Sequence, residues 1–395
     1  MHTIHLNKDR AASLLRRHPW VFSGAIARVS GQPAPGDTVR IVDAAGTPLA
    51  LAGYSPSSQI RARVWSFGTD ESIDADFLAR RLEAAVARRR ALLDDRERTG
   101  CRLVYGESDD LPGLIVDRYG DFLVCQFLFT GVERWKDDIV RILRERVPCK
   151  GIYERSEAAV RAREGLPVTQ GVLWGEEPPE LVEINEQGRR YGVSIAHGHK
   201  TGFYLDQCAN RALLARLVAE RSVLNCFAYT GGFGIAALQG GASHVLNIDS
   251  SAPSLALAAD NFRRNGLGAD RFDNLAGNAF DLLRQFRHEG RRFDVVILDP
   301  PKFAETKVQF KRAARAYKDI ALQGASLLNP GGLLVTFSCS GAIDLPLFQK
   351  ITADALLDAG RQGQILHYLH QSEDHPVGLA FPESLYLKGL VCRVA

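Results

Sequence analysis

The feature that most constrains this chain begins after Thr201, where a short apolar run, a turn and a helical stretch recur in that order. The runs Val223–Phe227, Val245–Asp249, Val295–Leu298 and Leu333–Phe337 are apolar along nearly their whole length, a pattern suited to strands covered on both faces. They predict a parallel, doubly wound sheet, so residues 196–395 read as one α/β domain of Rossmann-like type.

Ligands bind such sheets outside the carboxyl ends of the strands, so the residues closing each run carry the chemistry. The first run passes into Ala228-Tyr-Thr-Gly-Gly-Phe-Gly and then into the helix-like Ile235-Ala-Ala-Leu-Gln. Gly231 and its neighbours therefore sit where a strand becomes a helix and let backbone approach a ligand closely. Asp249 closes the next strand, where a carboxylate can accept hydrogen bonds from both ribose hydroxyls of an adenosine. An adenosine-bearing cofactor follows. Gly232-x-Gly234-x-x-Ala237 also fits the relaxed dinucleotide fingerprint, so a nicotinamide or flavin enzyme competes with a methyltransferase here. The later strands decide. Asn278 follows a third strand, as either a contact to the adenine edge or an ordinary loop amide, and Asp299-Pro300-Pro301-Lys302-Phe303 closes the fourth. Dehydrogenases have no use for that last motif.

The two prolines hold Asp299 and nearby carbonyls as a rigid acceptor set for a base, and Phe303 is a candidate to stack on it. In class I methyltransferases such a motif commonly holds an amine being methylated, which by itself favours an exocyclic amino group. Thr336-Phe-Ser-Cys-Ser-Gly, ending the next strand, changes the balance by bringing Cys339 to the same sheet edge. Carbon 5 of cytosine is a poor nucleophile until something adds to carbon 6, and a cysteine thiolate is the usual adding group. Cys339 then reads as nucleophile and Asp299 as the acid contacting the base. Two other readings stay open, N-methylation of a purine without covalent catalysis and an RNA-binding assembly factor with a vestigial cofactor site. Cys101, Cys125, Cys149, Cys208, Cys226 and Cys392 lack this context and read as structural.

Ahead of this domain the pattern differs. Gly36 to Phe67 alternates in short runs separated by turns, suggesting a small β-barrel over residues 1–70. Residues 71–195 mix strand-like runs (Leu114–Asp117, Phe122–Phe127, Gly151–Tyr153, Leu181–Asn185, Arg190–Ser194) with a helical stretch from Val132 to Arg146, a small α+β domain. Asp76 to Asp95 reads as one amphipathic helix whose arginines, Arg80, Arg81, Arg88, Arg89 and Arg90, face either RNA or solvent. The first 100 residues hold 15 Lys+Arg against 11 Asp+Glu, while the whole chain carries only +3, so charge alone is a weak pointer to a polyanion. No run approaches the roughly 20 apolar residues of a membrane span, Met1 to Arg10 lacks a signal-peptide core, and seven irregularly spaced cysteines fit neither a disulfide framework nor a zinc site. A cytoplasmic protein with no membrane partner is expected. His197-Gly-His199 reads as a polar turn, with no metal expected.

Along essentially its whole length the sequence resembles the 23S ribosomal RNA cytosine-5 methyltransferase family called ribosomal large subunit methyltransferase I. The stretches that carry the resemblance are His18-Pro-Trp-Val-Phe-Ser-Gly, Gly106-Glu-Ser-Asp-Asp-Leu-Pro-Gly-Leu-Ile-Val-Asp-Arg-Tyr-Gly, Tyr153-Glu-Arg-Ser, Lys200-Thr-Gly-Phe-Tyr-Leu-Asp-Gln, the cofactor loop, Asp299-Pro-Pro-Lys-Phe and Phe337-Ser-Cys-Ser-Gly. It implies an N-terminal PUA domain that binds RNA, a central α+β domain, and a C-terminal class I methyltransferase domain using S-adenosylmethionine on 23S ribosomal RNA or a large-subunit precursor. Carried over by position, it implies Cys339 and Asp299 as catalytic residues. Asn225, Phe227, Tyr229, Gly231, Asp249, Ser250 and Asn278, with Phe203, Tyr204 and Gln207, are implied for the cofactor, and Pro300, Pro301, Lys302 and Phe303 for the substrate. Asn278 departs from the family's frequent Asp, and Cys208 from its usual Arg. Other RNA cytosine-5 methyltransferases carry a second cysteine where this chain has Lys302, so the group that removes the carbon 5 proton has no sequence candidate. The number of subunits is likewise left open by the sequence.

Overall fold

The alternating runs between residues 36 and 67 form three antiparallel strands, Thr38–Val42, Pro48–Tyr54 and Ile60–Ser66, in the computed structural model, which describes residues 1–156, 158–303 and 309–395. Thr3–Leu6, Trp20–Phe22 and Ile26–Ser30 extend them to a six-stranded sheet, Thr3–Leu6 lying parallel to Thr38–Val42. Trp20–Phe22 has too few residues to establish a period of two, and Ile26–Ser30 does not alternate in burial, so the sequence pattern does not reveal them. Ile4, Leu6, Val39, Ile41, Ala50, Ala52, Ala62 and Val64 form the core beneath the sheet.

The central region is a second sheet of five strands in the order Thr169–Gly175, Gly151–Ser156, Phe122–Phe127, Leu114–Tyr119, Gly100–Tyr105. The first and last of these were not anticipated. Helix Ala75–Arg88 contributes Phe77, Leu78, Leu82 and Ala85 to this core, and helix Lys136–Arg146 contributes Ile139, Ile142 and Leu143. Asp74 caps the first helix, its carboxylate accepting from Phe77 N at 2.9 Å. The expected single helix to Asp95 instead breaks at Arg89. Its guanidinium turns inward to Asp109 at 2.6 Å and is buried, so Arg89 belongs to neither a solvent nor an RNA face. The expected helix Val132–Arg146 is likewise two, Thr130–Arg134 and Lys136–Arg146, parted at Trp135.

Met1–Gln187, Val193–Leu205 and Asp374–Ser384 make up the first of two units, and Gly188–Gly192, Asp206–Glu373 and Leu385–Ala395 the second. The return of residues 374–384 to the first unit is anchored by Asp374. Its carboxylate accepts from Arg102 N at 2.9 Å and lies 3.4 Å from Arg98 Nη2 and 2.9 Å from His375 Nδ1, while its carbonyl accepts from Arg89 at 3.1 Å.

In the second unit the strands are β1 (Ser222–Cys226), β2 (His244–Asp249), β3 (Phe272–Ala276), β4 (Phe293–Leu298), β5 (Leu328–Ser338), β6 (Gly363–Leu369) and β7 (Lys388–Val394), in the spatial order β3-β2-β1-β4-β5-β7-β6. The first five are parallel, as expected, whereas β7 runs antiparallel to both neighbours. The order reverses between β1 and β4, which makes the carboxyl ends of those strands the crevice of the fold. Leu224, Val296, Leu298, Leu334 and Leu390 fill the core with Tyr317, Ile320 and Phe348, each buried leucine contributing roughly 1.5–3 kcal/mol. Among the described residues no helix is long and apolar enough to cross a membrane.

Candidate cofactor and methyl-transfer site

The loop leaving β1 is held in a shape that its sequence resists. Phe227 and Tyr229 have φ of 60° and 49°, left-handed conformations that cost a bulky residue about 1–2 kcal/mol each. The cost is offset by bonds to the end of β2: Ala228 N donates to Ile248 O at 2.9 Å and Tyr229 N to Asp249 Oδ2 at 2.8 Å. Gly231, at φ 83°, caps helix Gly232–Gln239, and a Cβ there would sit 2.9 Å from the Phe262 ring. Among the described residues the buried Thr230 hydroxyl has no hydrogen-bond partner and no side chain caps the helix. The second oxygen of Asp249 accepts from Ser251 N at 2.8 Å, so both oxygens are fixed by backbone while each retains a further lone pair. Exposed Ser250 stands beside it. An unsatisfied hydroxyl, a bare helix N-terminus and a fixed carboxylate together fit the adenosine end of a nucleoside cofactor.

The other residues expected at the cofactor have partners within the protein. Asn225 is buried and donates across the sheet to Asn247, which donates to Asn274, each at 2.9 Å, an amide ladder through β1, β2 and β3. Its amide is turned into the sheet rather than out at the edge. Asn278 caps helix Ala279–His288, its oxygen accepting from Phe280 N at 2.9 Å, so that oxygen serves the helix. Phe203 and Tyr204 belong to the first unit, where Phe203 is buried and the Tyr204 hydroxyl lies 3.2 Å from His199 Nδ1. Gln207 is buried against the chemical edge: its Nε2 donates to Asp299 Oδ2 at 3.0 Å, and Asn210 holds its oxygen at 2.6 Å.

Asp299 follows β4 and Cys339 follows β5, adjacent parallel strands in which Leu298 pairs with Thr336. Both residues therefore leave the sheet at one edge, on strands about 4.8 Å apart. Pro300 is buried, and Pro301 and Lys302 are exposed. Phe303, expected to stack on a base, is half-buried. Its ring packs 4.7 Å from Tyr317 and 5.8 Å from Phe280, centroid to centroid, against the core. Those contacts anchor the motif to the core.

The cysteines separate by environment. Burial pushes the Cys101 and Cys392 thiols up to about 12 and raises Cys125 and Cys226 as well, leaving them inert. Cys339 is half-buried, and the residues after it are pinned from two sides. The Tyr317 hydroxyl lies 3.0 Å from Ser340 Oγ, and Lys388, buried at the start of β7, donates from Nζ to Ser340 O at 2.8 Å and to Tyr386 O at 2.7 Å. Lys388 escaped the sequence reading, although a lysine opening the apolar run Gly389-Leu-Val-Cys was a visible signal.

Known proteins resemble this chain in both its N-terminal and its C-terminal regions. Residues 162–393 match the S-adenosylmethionine-dependent methyltransferase family and residues 4–67 a PUA-like domain. Proteins called "Ribosomal RNA large subunit methyltransferase I" are 52% identical in Aeromonas salmonicida, over 99% of this chain and 98% of that one. In Tolumonas auensis the identity is 52%, over 99% of both chains. Among solved structures, a SAM-dependent methyltransferase candidate from Streptococcus mutans superposes over 100% of both chains with a TM-score of 0.86 at 23% identity. A methyltransferase candidate complexed with SAH also covers 100% of both, with a TM-score of 0.88 at 24% identity. These likenesses in structure bear on the fold, and the sequence relatives bear on kinship: the chain belongs to the ribosomal RNA large subunit methyltransferase I family and uses S-adenosylmethionine.

Proposed function

We propose that this methyltransferase transfers a methyl group to carbon 5 of a cytosine in 23S ribosomal RNA through a covalent adduct to Cys339. The observation that carries the reading is the exit of Asp299 and Cys339 from neighbouring parallel strands at one sheet edge, with Gln207 holding the carboxylate. The relatives' names add ribosomal RNA of the large subunit as the substrate class.

S-adenosylmethionine, when bound, supplies a methyl group on a sulfonium. The Cys339 thiolate adds to carbon 6, forming a C–S bond and moving the ring electrons toward N3. Asp299 accepts from the exocyclic amine and shares a proton with N3, neutralising the charge as it develops. Carbon 5, now part of an enamine, takes the methyl. Solvent water takes the carbon 5 proton, the C5–C6 double bond reforms as the C–S bond breaks, the N3 proton returns to Asp299, and Cys339 leaves as thiolate. The base is drawn out of its stack to reach the pocket, with Pro300, Pro301 and Lys302 bordering it and Phe303 setting the motif from behind. Asp249, Gly231, Tyr229, Phe227 and Ser250 form the adenosine end, and Asn225 positions β1 and β2 through its amide ladder. Residues 1–70, the PUA-like module, hold flanking RNA, and residues 71–195 form the central domain.

The test is incubation of the protein with tritiated S-adenosylmethionine and unmodified large-subunit RNA, followed by separation of the labelled nucleosides. Label in 5-methylcytidine is expected, and label in a methylated purine overturns the reading. Asp299→Ala is expected to lower kcat by roughly 10²–10³-fold with little change in cofactor affinity, as for loss of one group that stabilises developing charge. Asp249→Ala is expected to weaken cofactor binding by roughly 10- to 100-fold, the value of one or two charge-assisted hydrogen bonds. Calorimetric titration with S-adenosylhomocysteine measures it, and unchanged affinity would remove Asp249 from the site.

A further inference from the structure

Lys388 is an expensive residue where it stands. It faces Ser338 in the β5–β7 ladder, is 5% exposed, and belongs to a strand that is otherwise apolar until Arg393. Two of its three N–H donors are committed to the carbonyls of Ser340 and Tyr386, which leaves one. A buried ammonium is retained only where its surroundings favour the charge. Burial lowers Lys388 to about 8, and the charges within reach are Cys339 and Asp344, which favour the ammonium, and Lys302, which opposes it. Attraction between a thiolate and an ammonium is reciprocal: whatever Cys339 does to hold the proton on Lys388, Lys388 does to hold Cys339 without one. Tyr317, whose hydroxyl burial keeps protonated, also faces Cys339 and adds no competing positive charge.

We propose that Lys388 is the positioning residue of Cys339: its ammonium fixes the loop through Ser340 and Tyr386 and keeps the neighbouring sulfur as a thiolate. The proposal rests on the reading of Cys339 as nucleophile, and it supplies what that reading needs, an ionised sulfur at neutral pH. It also explains why β7 opens with a lysine. No proton is moved in the step itself, since the ammonium acts through its field.

The test follows alkylation of Cys339 by iodoacetamide from pH 5.5 to 9.5, read by mass spectrometry of the Cys339 peptide in the full-length protein. Cys149, half-buried in the first unit and raised by burial, is the internal reference. In the unsubstituted protein the rate should titrate at least one pH unit below the roughly 8.5 of an ordinary cysteine. Lys388→Met should move that midpoint up by at least one unit, slowing alkylation at pH 7 by about tenfold. Lys388→Arg should restore it, and Cys149 should be unaffected in all. A midpoint at or above the ordinary value in the unsubstituted protein overturns the proposal even if Lys388→Met does not fold, and so does an unmoved midpoint in a folded Lys388→Met. Loss of the nucleophile reading is a separate result. It appears as methyl transfer surviving Cys339→Ala while the Cys339 alkylation midpoint in the unsubstituted protein stays low and still moves in Lys388→Met.

Discussion

Cys339→Ala is expected to lower single-turnover methyl transfer to unmodified large-subunit RNA by at least about 10⁴-fold while leaving S-adenosylhomocysteine affinity unchanged. The size follows from the chemistry of the base. Without addition at carbon 6, carbon 5 has no enamine character, and neither Asp299 nor orientation of the base can supply it. Cys339→Ser should not rescue, because a hydroxyl is scarcely ionised in the environment that ionises a thiol. RNA containing 5-fluorocytidine should trap the unsubstituted protein as a complex that survives denaturation, since fluorine cannot leave carbon 5 as a proton does, and neither variant should be trapped. Activity within tenfold of the unsubstituted protein in Cys339→Ala would exclude the covalent route and return weight to N-methylation through Asp299-Pro300-Pro301. Cysteines inside the sheet cannot substitute. Cys226 and Cys392 are buried within β1 and β7, with thiols raised by desolvation.

The methyltransferase unit was legible where burial is two-sided. β1, β2, β4 and β5 stand out because continuous apolar runs leave little choice of structure, and the loop after β1 because glycine is required at Gly231. β6 and β7 were less visible. β6 is an edge strand with mixed exposure, and β7 pairs with partners distant in sequence, β5 and β6, which no local pattern encodes. The direction of polar side chains was the least legible feature. Asn225, Gln207 and Arg89 each sit where a functional contact was plausible, and each is committed inside the protein, to Asn247, Asp299 and Asp109. A residue's place on a strand end follows from sequence, but its partner follows from neighbours that the fold alone assembles.

That lesson also bears on stability, because the residue with the largest expected structural effect lies in a segment with no visible pattern. Asp374→Asn is expected to destabilise the first unit by about 3–5 kcal/mol at pH 7, the usual result of removing one partner from a buried ionic cluster. Asp374 is fully buried, and its carboxylate serves Arg98, His375 and the backbone N–H of Arg102 together. Burial pushes its carboxyl up, but His375, Arg98 and the Arg102 amide outweigh that and hold it below the usual value of 3.8. A folded-state value lower than the unfolded one means that the ionised group stabilises the fold above about pH 4 and that this stabilisation is lost as pH falls through the folded value. The difference between the two proteins should therefore be largest near neutrality and shrink on acidification. All four tryptophans, Trp20, Trp65, Trp135 and Trp174, belong to the first unit, so tryptophan fluorescence during urea unfolding follows that unit alone. A loss below about 1 kcal/mol at pH 7, or one that does not diminish toward pH 3.5, would mean that the cluster is replaceable by neutral hydrogen bonding and that the return of residues 374–384 is held by packing instead.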